Sequence, residues 1–225
     1  MRRVPVRELL DEDAGTPSEV KKSLEDVRFL NEYFGGVSTT MAMIRRVARK
    51  TGAAEFSMLD VAAGAGDVPE LVRVRVEPHG VRLKLTLLDR LSSHLGAGDN
   101  RIVGDARALP FQERSFDLVS CCLFVHHLAP SEVNVFVKEA LRCARTAVLI
   151  NDLVRHPFSY AVAYAGRFIY KSRITTHDAP ASVRQSYTLD EMREMLEQAG
   201  AATVEISRQY FYRMAAIAWK TQPRG

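Results

Sequence analysis

Two adjacent histidines, His126 and His127, follow a nearly continuous apolar run, SFDLVSCCLFV (115–125). Such a run is typical of a strand buried inside a parallel sheet. Ligands bind at the carboxyl edge of an open α/β sheet, so a histidine there can act as a general base toward an oxygen nucleophile. Because successive side chains of a strand point to opposite faces, we expect one of the two to face a substrate, and we favour His126. A structural role for both is the alternative.

A second feature with chemical potential is the turn DVAAGAGDVPE (60–70), which leads from an apolar segment into a helix start. A dinucleotide-binding turn needs glycine at its first, third and sixth positions. Counted from Gly64, the sixth position is Pro69, and Asp67 stands where an anion would sit. No Gly-Lys-Ser/Thr follows, which excludes a P-loop. The alternative without a ligand is that Gly64 and Gly66 only permit a tight turn.

An acidic residue at the end of the next strand limits the kinds of ligand that the glycine turn could bind. Asp89 follows Gly66 by 23 residues, close to the spacing at which an acid meets ribose hydroxyls in a βαβ nucleotide site. A ligand that has a ribose and lacks phosphate satisfies both the turn and the acid. S-adenosylmethionine is such a ligand, because it joins adenine and ribose to a sulfonium-bearing amino acid.

These groups need a scaffold that alternates strands with helices. Capping boxes, Thr16 with Glu19 and Thr188 with Glu191, predict two helix starts. Strands are predicted at 56–63, 82–90, within 100–111, at 115–125 and at 146–153; helices at 20–34, 39–50 and 130–143; and two antiparallel strands around a tight turn within 203–220. The pattern predicts an α/β fold with a doubly wound, Rossmann-like, mostly parallel seven-stranded sheet and an antiparallel C-terminal strand. We divide the chain into an N-terminal helical segment (1–53) that covers the cofactor site and a core (54–225), with 156–186 as a helical substrate cap.

Four segments, LDVAAGAGD, LTLLDR, VGDARALPF and SFDLVSCCLFVHHL, resemble in order and spacing the motifs of class I S-adenosylmethionine-dependent methyltransferases, over residues 56–153. The resemblance implies a methionine-side loop around Asp60, ribose binding by Asp89 and adenine binding by Asp105. Ala62 replaces the usual first glycine of that loop. The full set of expected cofactor-binding residues is Asp60, Ala62, Gly64, Gly66, Asp67, Asp89, Arg90, Asp105, Ala106 and Leu123, with Arg28 and Asn31 of the N-terminal helix closing over the cofactor.

Three further segments, SLEDVRFLNEYFGG, NDLVRHPFSYAVAY and SRITTHDAPASVRQSYT, are similar to bacterial methyltransferases associated with type III polyketide synthases, within the small-molecule, type 11 branch. This resemblance implies a phenolic or otherwise lipophilic acceptor. The expected acceptor-binding residues are Asn151, His156, Tyr160, Tyr164, His177 and Arg184. Phe168 and Tyr170 are further candidates for lining an apolar pocket, and Asp178 is a further polar candidate. For the tyrosines, packing of the cap against the sheet is an equal alternative.

A metal ion is not expected at this site. Asn151 and Asp152 after the fifth strand match in part the magnesium ligands of some methyltransferases, but the partner after the fourth strand is histidine, a poor ligand for a hard cation. The Asn/Asp-Pro-Pro-aromatic motif of nucleic-acid amino methyltransferases is missing after that strand, where the chain reads His-His-Leu-Ala-Pro. The sequence therefore predicts a metal-independent enzyme that does not methylate bases.

The bulk composition excludes several other classes of protein. The 225 residues carry a net charge of +4 with scattered basic residues, so nucleic acid is not an expected partner. The three cysteines, Cys121, Cys122 and Cys143, suggest neither a disulfide framework nor a metal knuckle. The N-terminus turns acidic where a signal peptide needs an apolar run, and no stretch reaches the roughly 18 apolar residues of a membrane span. We expect a cytoplasmic monomer or homodimer.

The functional hypothesis is methyl transfer from S-adenosylmethionine to a small aromatic, phenolic or polyketide-like acceptor, with O-methylation favoured over C-methylation. A non-catalytic cofactor-binding or scaffold protein on the same fold is the alternative. A nicotinamide-dependent oxidoreductase is disfavoured by Pro69 and Asp67 in the glycine turn.

Overall fold

The computed structural model describes residues 1–12, 14–93, 95–96, 98–209 and 213–222. The helices are α1 (Pro17–Tyr33), α2 (Gly36–Thr51), α3 (Asp67–Val76), α4 (Pro130–Cys143), α5 (Pro157–Ala165), α6 (Arg173–Gln185) and α7 (Leu189–Gln198). The strands are β1 (Glu55–Val61), β2 (Arg82–Asp89), β3 (Arg101–Val103), β4 (Phe116–Cys122), β5 (Ala144–Leu153), β6 (Thr203–Gln209) and β7 (Arg213–Trp219). Short 3₁₀ turns lie at Glu77–His79, Val125–His127 and Gly166–Phe168.

The strands form one seven-stranded sheet in the order β3-β2-β1-β4-β5-β7-β6. Strands β1 to β5 are parallel to one another, whereas β7 runs antiparallel to both β5 and β6. The predicted fold is therefore confirmed. The strand order reverses between β1 and β4, so the loops after these two strands border the crevice in which such sheets bind ligands.

Two apolar layers hold the helices against the sheet. On one face α2 and α3 bury Val37, Ile44 and Val72 against β-strand residues such as Met58 and Leu118. On the other face α4 and α7 form the second layer, and its central side chains include Val119, Phe136, Ile150 and Leu196. With both faces covered, the sheet can expose only its ends, which is why the polar side chains of the central strands collect there.

Strand β4 ends earlier than the apolar run suggests. Leu123 adopts a left-handed φ of 53°, and Val125–His127 forms a 3₁₀ turn. The expectation that His126 and His127 diverge as strand neighbours is wrong, because they lie in this turn with ring centroids 4.0 Å apart. The turn between β6 and β7, predicted as tight, lies outside the described residues.

Residues 1–12, which we call the N-terminal strap, cross the C-terminal edge of the sheet. Arg3 donates to the carbonyls of His126 (3.0 Å) and Leu128 (2.9 Å). Further along, the backbone N–H groups of Leu9 and Leu10 donate to the two oxygens of Asp178 in α6, at 2.9 and 3.0 Å. The strap is thereby joined both to the turn that carries the histidines and to the cap.

The described helices include none that is both long enough and apolar enough to cross a membrane.

Candidate active site

The loop after β1 contains the glycine turn. Asp60 at the end of β1 is buried and accepts a hydrogen bond from the Ser120 hydroxyl of β4. Burial raises the pKa of Asp60 to about 7, although this hydrogen bond opposes the shift. Gly66 has a φ of 85°, and a Cβ there would lie 2.5 Å from Leu87 Cδ1, so the turn needs glycine. Ala62 reaches the left-handed region, with a φ of 56°, without being glycine.

Asp89 connects β2 to this loop. Its Oδ2 accepts a hydrogen bond from Gly64 N at 3.0 Å, and its Oδ1 accepts one from Leu91 N at 3.0 Å. A carboxylate oxygen can accept more than one hydrogen bond. Asp89 can therefore accept from a ribose hydroxyl while it holds the loop in place.

Asp105, which follows β3, is engaged by a neighbour. Its carboxylate forms an ion pair with Arg107 at 2.8 Å, and Arg107 also reaches Glu132 at 2.9 Å. Side-chain and backbone hydrogen bonds from Arg107 lower the pKa of Asp105 to about 2. An adenine amino group would share this carboxylate with Arg107. The next residue, Ala106, belongs to the buried core.

The two expected residues of α1 have different surroundings. Arg28 Nε lies 3.7 Å from Asp67 Oδ1, and both residues border a surface groove of about 600 Å³ beside the loop after β1. Asn31 is buried, and its Oδ1 accepts from Arg213 Nη2 at 2.9 Å. Arg28 therefore contacts the start of α3 at the protein surface, whereas Asn31 links α1 to β7 through a buried hydrogen bond.

The geometry fits S-adenosylmethionine. A turn that admits only glycine at position 66, a buried acid at the end of β1 and a second acid at the end of β2 meet at one edge of the sheet. No basic side chain stands in the turn itself, which suits a cationic sulfonium better than a pyrophosphate. The exposed Arg90 follows Asp89, and Leu123 lies across the sheet, where it lines the cavity described next.

A cavity of about 280 Å³, which we call the central cavity, lies between the strap, α1, the cap and the C-terminal ends of β4 and β5. Much of its wall is apolar, and residues of this part include Leu10, Val27, Leu30, Phe34, Leu123, Leu153, Val162, Ala163 and Val183. Its charged or titratable lining residues are Glu8, Asp11, His126, His127, Asp178 and Arg213. The cavity therefore suits a small molecule with an apolar body and a polar group.

His126 is held between two carboxylates. Its Nδ1 lies 2.6 Å from Asp152 Oδ1, and its Nε2 lies 3.5 Å from Glu8 Oε1. Burial alone would lower the pKa of this imidazole, but Asp152 and Glu8 raise it to about 10. The same contacts lower the pKa of Asp152 and of Glu8 against the effect of their burial. Both carboxylates therefore stabilise the charged form of the imidazole.

Glu8 has a fixed position in this group. Its Oε1 accepts hydrogen bonds from Ser182 Oγ at 2.6 Å and from Gln185 Nε2 at 2.5 Å. Both donors belong to α6, so the strap and the cap together place this carboxylate against the imidazole.

His127 has a carboxylate of its own, since its Nδ1 lies 3.0 Å from Asp11 Oδ2. Among the described residues, Glu8, His126 and His127 offer three donor atoms within 4.8 Å of one another, a spacing that a transition-metal ion could use. Each donor already has a protein partner of its own. Metal independence stays a prediction.

The residues expected to bind the acceptor are not brought together. Asn151 is fully buried on β5, and its amide donates to Gly36 O at 2.6 Å and Thr40 Oγ1 at 2.9 Å. His156 caps α5 by accepting from Phe158 N at 3.1 Å. Asn151 therefore anchors α2 to the sheet, and His156 stabilises the first turn of α5 at the start of the cap.

The other four expected residues lie on the outer part of the cap. Tyr160 and Tyr164 stack with their centroids 6.4 Å apart, His177 pairs with its neighbour Asp178 at 2.7 Å, and Arg184 is exposed. Within the described lining of the central cavity, none of the six expected acceptor residues occurs. The cap contributes other side chains to that lining, namely Ser159, Val162, Ala163, Tyr170, Thr175, Asp178, Ala179, Ser182 and Val183.

Sequence reasoning missed the acids that the strap supplies. Glu8 and Asp11 belong to VRELLDED (6–13), which matches no motif and lies more than 100 residues from the histidines. Arg213 was also outside the expected set of site residues, whereas Asp178 was a candidate and lines the central cavity. The sequence shows that the strap contains acids, but it does not show that these acids contact His126 and His127.

Comparisons with known proteins assign the central part of the chain. The family described as "Methyltransferase domain" matches residues 59–149. Demethylmenaquinone methyltransferase of Thermotoga maritima is 44% identical over 69 residues, which are 28% of this chain and 28% of that protein. The chain thus matches little more than a quarter of the length of this curated relative.

Several solved structures share the fold. The plantazolicin methyltransferase BpumL, in complex with a pentazolic desmethylPZN analog and SAH, has a TM-score of 0.71 at 13% identity, covering 96% of this chain and 95% of that chain. Human N-acetylserotonin methyltransferase in complex with SAM has a TM-score of 0.55 at 16% identity, covering 79% and 51%. The CMeT domain of the citrinin polyketide synthase has a TM-score of 0.56 at 14% identity, covering 75% and 47%.

At identities of 13–16%, similarity to the solved structures shows only that the fold is shared. The similarity to a methyltransferase domain comes from the sequence match. Residues 59–149 include the glycine turn, Asp89, Asp105 and His126. Residues 59–149 are therefore similar to a methyltransferase domain, and they lie within a Rossmann-like fold.

Proposed function

We propose that this protein transfers a methyl group from S-adenosylmethionine to a hydroxyl group of a small aromatic or polyketide-like acceptor bound in the central cavity. The observation that carries the proposal is the buried His126, which stands between Asp152 and Glu8 at the polar end of an otherwise largely apolar cavity. An oxygen nucleophile needs such a group, because its proton must leave as the new bond forms.

The chain's part in the reaction is alignment and proton transfer. S-adenosylmethionine supplies a methyl group on a sulfonium, and the loops after β1 and β2 hold it at the edge of the sheet. The apolar wall positions the acceptor ring, and His126, in its neutral form, takes the hydroxyl proton at Nε2. Asp152 fixes the ring through Nδ1 and stabilises the imidazolium that results.

The size and polarity of the central cavity support a compact acceptor. Its volume of about 280 Å³ accommodates one or two fused rings, and Val27, Leu30 and Phe34 provide apolar contact. O-methylation is favoured over C-methylation because the cavity places a proton-accepting group at its polar end. The sequence resemblance to methyltransferases associated with type III polyketide synthases is the reason for including polyketide-like molecules among the proposed acceptors.

The test is a transfer assay with isotopically labelled S-adenosylmethionine against a panel of phenols, quinols and aromatic polyketide fragments. We expect transfer to at least one acceptor, with a loss of about a hundredfold or more in kcat for His126→Asn. Cofactor affinity, measured by calorimetry, should stay within about twofold of the wild-type value. His79→Asn, which changes an exposed histidine in the 3₁₀ turn that follows α3, is the matched control.

Two outcomes would contradict the proposal. If neither S-adenosylmethionine nor its demethylated product binds, the cofactor assignment fails. If the cofactor binds and no acceptor in the panel is methylated, a non-catalytic binding or scaffold protein on the same fold becomes the better explanation.

A further inference from the structure

Helix α5 and the 3₁₀ turn that follows it expose an unusual density of large apolar side chains. Phe158 (52% exposed), Val162 (38%), Tyr164 (49%), Phe168 (79%) and Ile169 (62%) lie within twelve residues. We call these five side chains the outer cap face. Exposed apolar side chains are ordinary when scattered, but a cluster of this kind marks a surface that has a partner.

The composition of α5 points the same way. Its sequence, PFSYAVAYA, contains no charged residue, and Ser159 is its only buried side chain. A helix that is apolar around its whole circumference is normally buried on all sides. Here one side faces the central cavity and most of the remainder faces solvent.

One exposed cation lies on the outer cap face itself. Of the four basic residues between Val154 and Thr176, three pair with carboxylates of other segments, namely Arg155 with Glu191, Lys171 with Glu25 and Arg173 with Glu19. The fourth is Arg167, whose guanidinium lies over the rings of Tyr164 and Phe168, 4.4 and 4.8 Å from their centroids. Aromatic and aliphatic side chains beside an exposed guanidinium suit the interface of an anionic lipid bilayer, where rings enter the headgroup layer and the cation meets phosphates.

Arg167 also argues against a second copy as the partner. A two-fold contact between two outer cap faces would bring the exposed guanidinium of one copy toward that of the other. Like charges brought together on desolvation oppose association. An anionic lipid surface instead complements them.

The outer cap face is also continuous with the central cavity. Val162 belongs to both surfaces, and Ser159, Ala163 and Tyr170 of the same segment line the cavity. An acceptor dissolved in a bilayer would therefore meet the cap directly at the wall of the site.

We propose that the outer cap face docks on an anionic lipid surface and that the cap takes its lipophilic acceptor from there. The docking step stands independently of methyl transfer, and only the delivery of an acceptor rests on the proposed function.

The experiment is co-sedimentation of the full chain with phosphatidylcholine vesicles, with and without phosphatidylglycerol, in the absence of any acceptor. We expect binding to the vesicles that contain phosphatidylglycerol, weakened by added salt. The double variant Phe168→Ser with Ile169→Ser should bind about tenfold or more weakly, because two large side chains lose their burial in lipid. Arg167→Gln should bind about fivefold more weakly.

The matched control is Val74→Ser with Val135→Ser, which changes two apolar side chains that are 55% and 44% exposed on α3 and α4. This control should bind vesicles as the wild type does. Absence of binding to anionic vesicles, or equal loss in the control, would overturn the proposal. A wild-type dimer in light scattering that the Phe168/Ile169 variant abolishes, without vesicle binding, would instead assign the face to a subunit interface. Because no acceptor is used, failure of methyl transfer cannot mimic any of these outcomes.

Discussion

Replacing Glu8 with glutamine tests the arrangement around His126 most directly. Glutamine keeps the shape of the side chain, and its carbonyl can still accept from Ser182 and Gln185. What changes is the negative charge 3.5 Å from His126 Nε2. The Asp152 contact at Nδ1, at 2.6 Å, is left in place.

The size of the effect follows from that distance. At 3.5 Å, with an effective dielectric constant of about 20, a unit charge contributes about 5 kcal/mol, or roughly 3.5 pKa units. The glutamine carbonyl replaces part of this interaction, so we expect the pKa of His126 to fall by about 1–3 units. From a starting value of about 10, the variant would reach a pKa between about 7 and 9.

The sign for stability follows from the same shift. Because the folded-state pKa of His126 is raised, its stabilising contribution is complete below the unfolded pKa of about 6.5 and is lost as pH rises through about 10. In the Glu8→Gln variant this loss should begin at lower pH. The titratable side chains that face the ring are Glu8, Asp152 and His127.

The assay combines histidine NMR titration with the pH dependence of kcat. At pH 7.5 about 0.3% of the ring is neutral for a pKa of 10, compared with about a quarter for a pKa of 8. If neutral His126 accepts the proton, the rising limb of kcat should move to lower pH by the same number of units as the NMR titration. Glu12→Gln, in the same strap and paired only on the surface with Arg7 in the described contacts, should move neither.

Two results would refute this reasoning. An unchanged His126 pKa in the variant would mean that Glu8 does not act on the ring. A loss of kcat at every pH, with the pKa lowered as expected, would assign proton acceptance to Glu8 itself.

Three further predictions concern the cofactor loop and the donor cluster. Asp89→Asn should weaken calorimetric binding of S-adenosylmethionine about tenfold, because the acceptor for both Gly64 N and a ribose hydroxyl loses its charge, whereas Asp190→Asn on α7 should leave the affinity unchanged. Gly66→Ala should lower the free energy of unfolding by about 1–3 kcal/mol, since its Cβ would lie 2.5 Å from Leu87 Cδ1; Gly80→Ala, at a φ of 77° with open space around it, should cost less in the same denaturant titration. Dialysis against a chelator should leave methyl transfer unchanged, and activity that is lost on chelation and restored by zinc would show that Glu8, His126 and His127 bind a metal ion.

The fold and half of the site were within reach of the sequence. Strand and helix alternation is a local pattern of apolar spacing, so it predicted the sheet with its antiparallel end. The glycine turn and Asp89 belong to one βαβ unit, in which short connections fix the distance between the two strand ends. The glycine turn and Asp89 could therefore be assigned to one site, because a βαβ unit places the ends of its two parallel strands side by side.

The acceptor side could not be predicted in the same way. Of the cap residues chosen for their chemistry, Tyr164 and His177 lie on its outer part and Tyr170 lines the central cavity. Ser159 of the same segment also lines the cavity but was not chosen. Which side of an all-apolar helix faces inward depends on what packs against it. Periodicity carries no such information when both sides are apolar.

The sequence by itself determined the element order, the cofactor-side loop and the place of His126 at the carboxyl edge of the sheet, because each depends on residues close along the chain. Only the tertiary structure decided what surrounds that histidine. Asp152 reaches it from the neighbouring strand, but Glu8 arrives from a strap more than 100 residues away, held there by hydrogen bonds to α6. Contacts between such distant segments leave no periodic trace in the sequence, and they set whether the imidazole is charged.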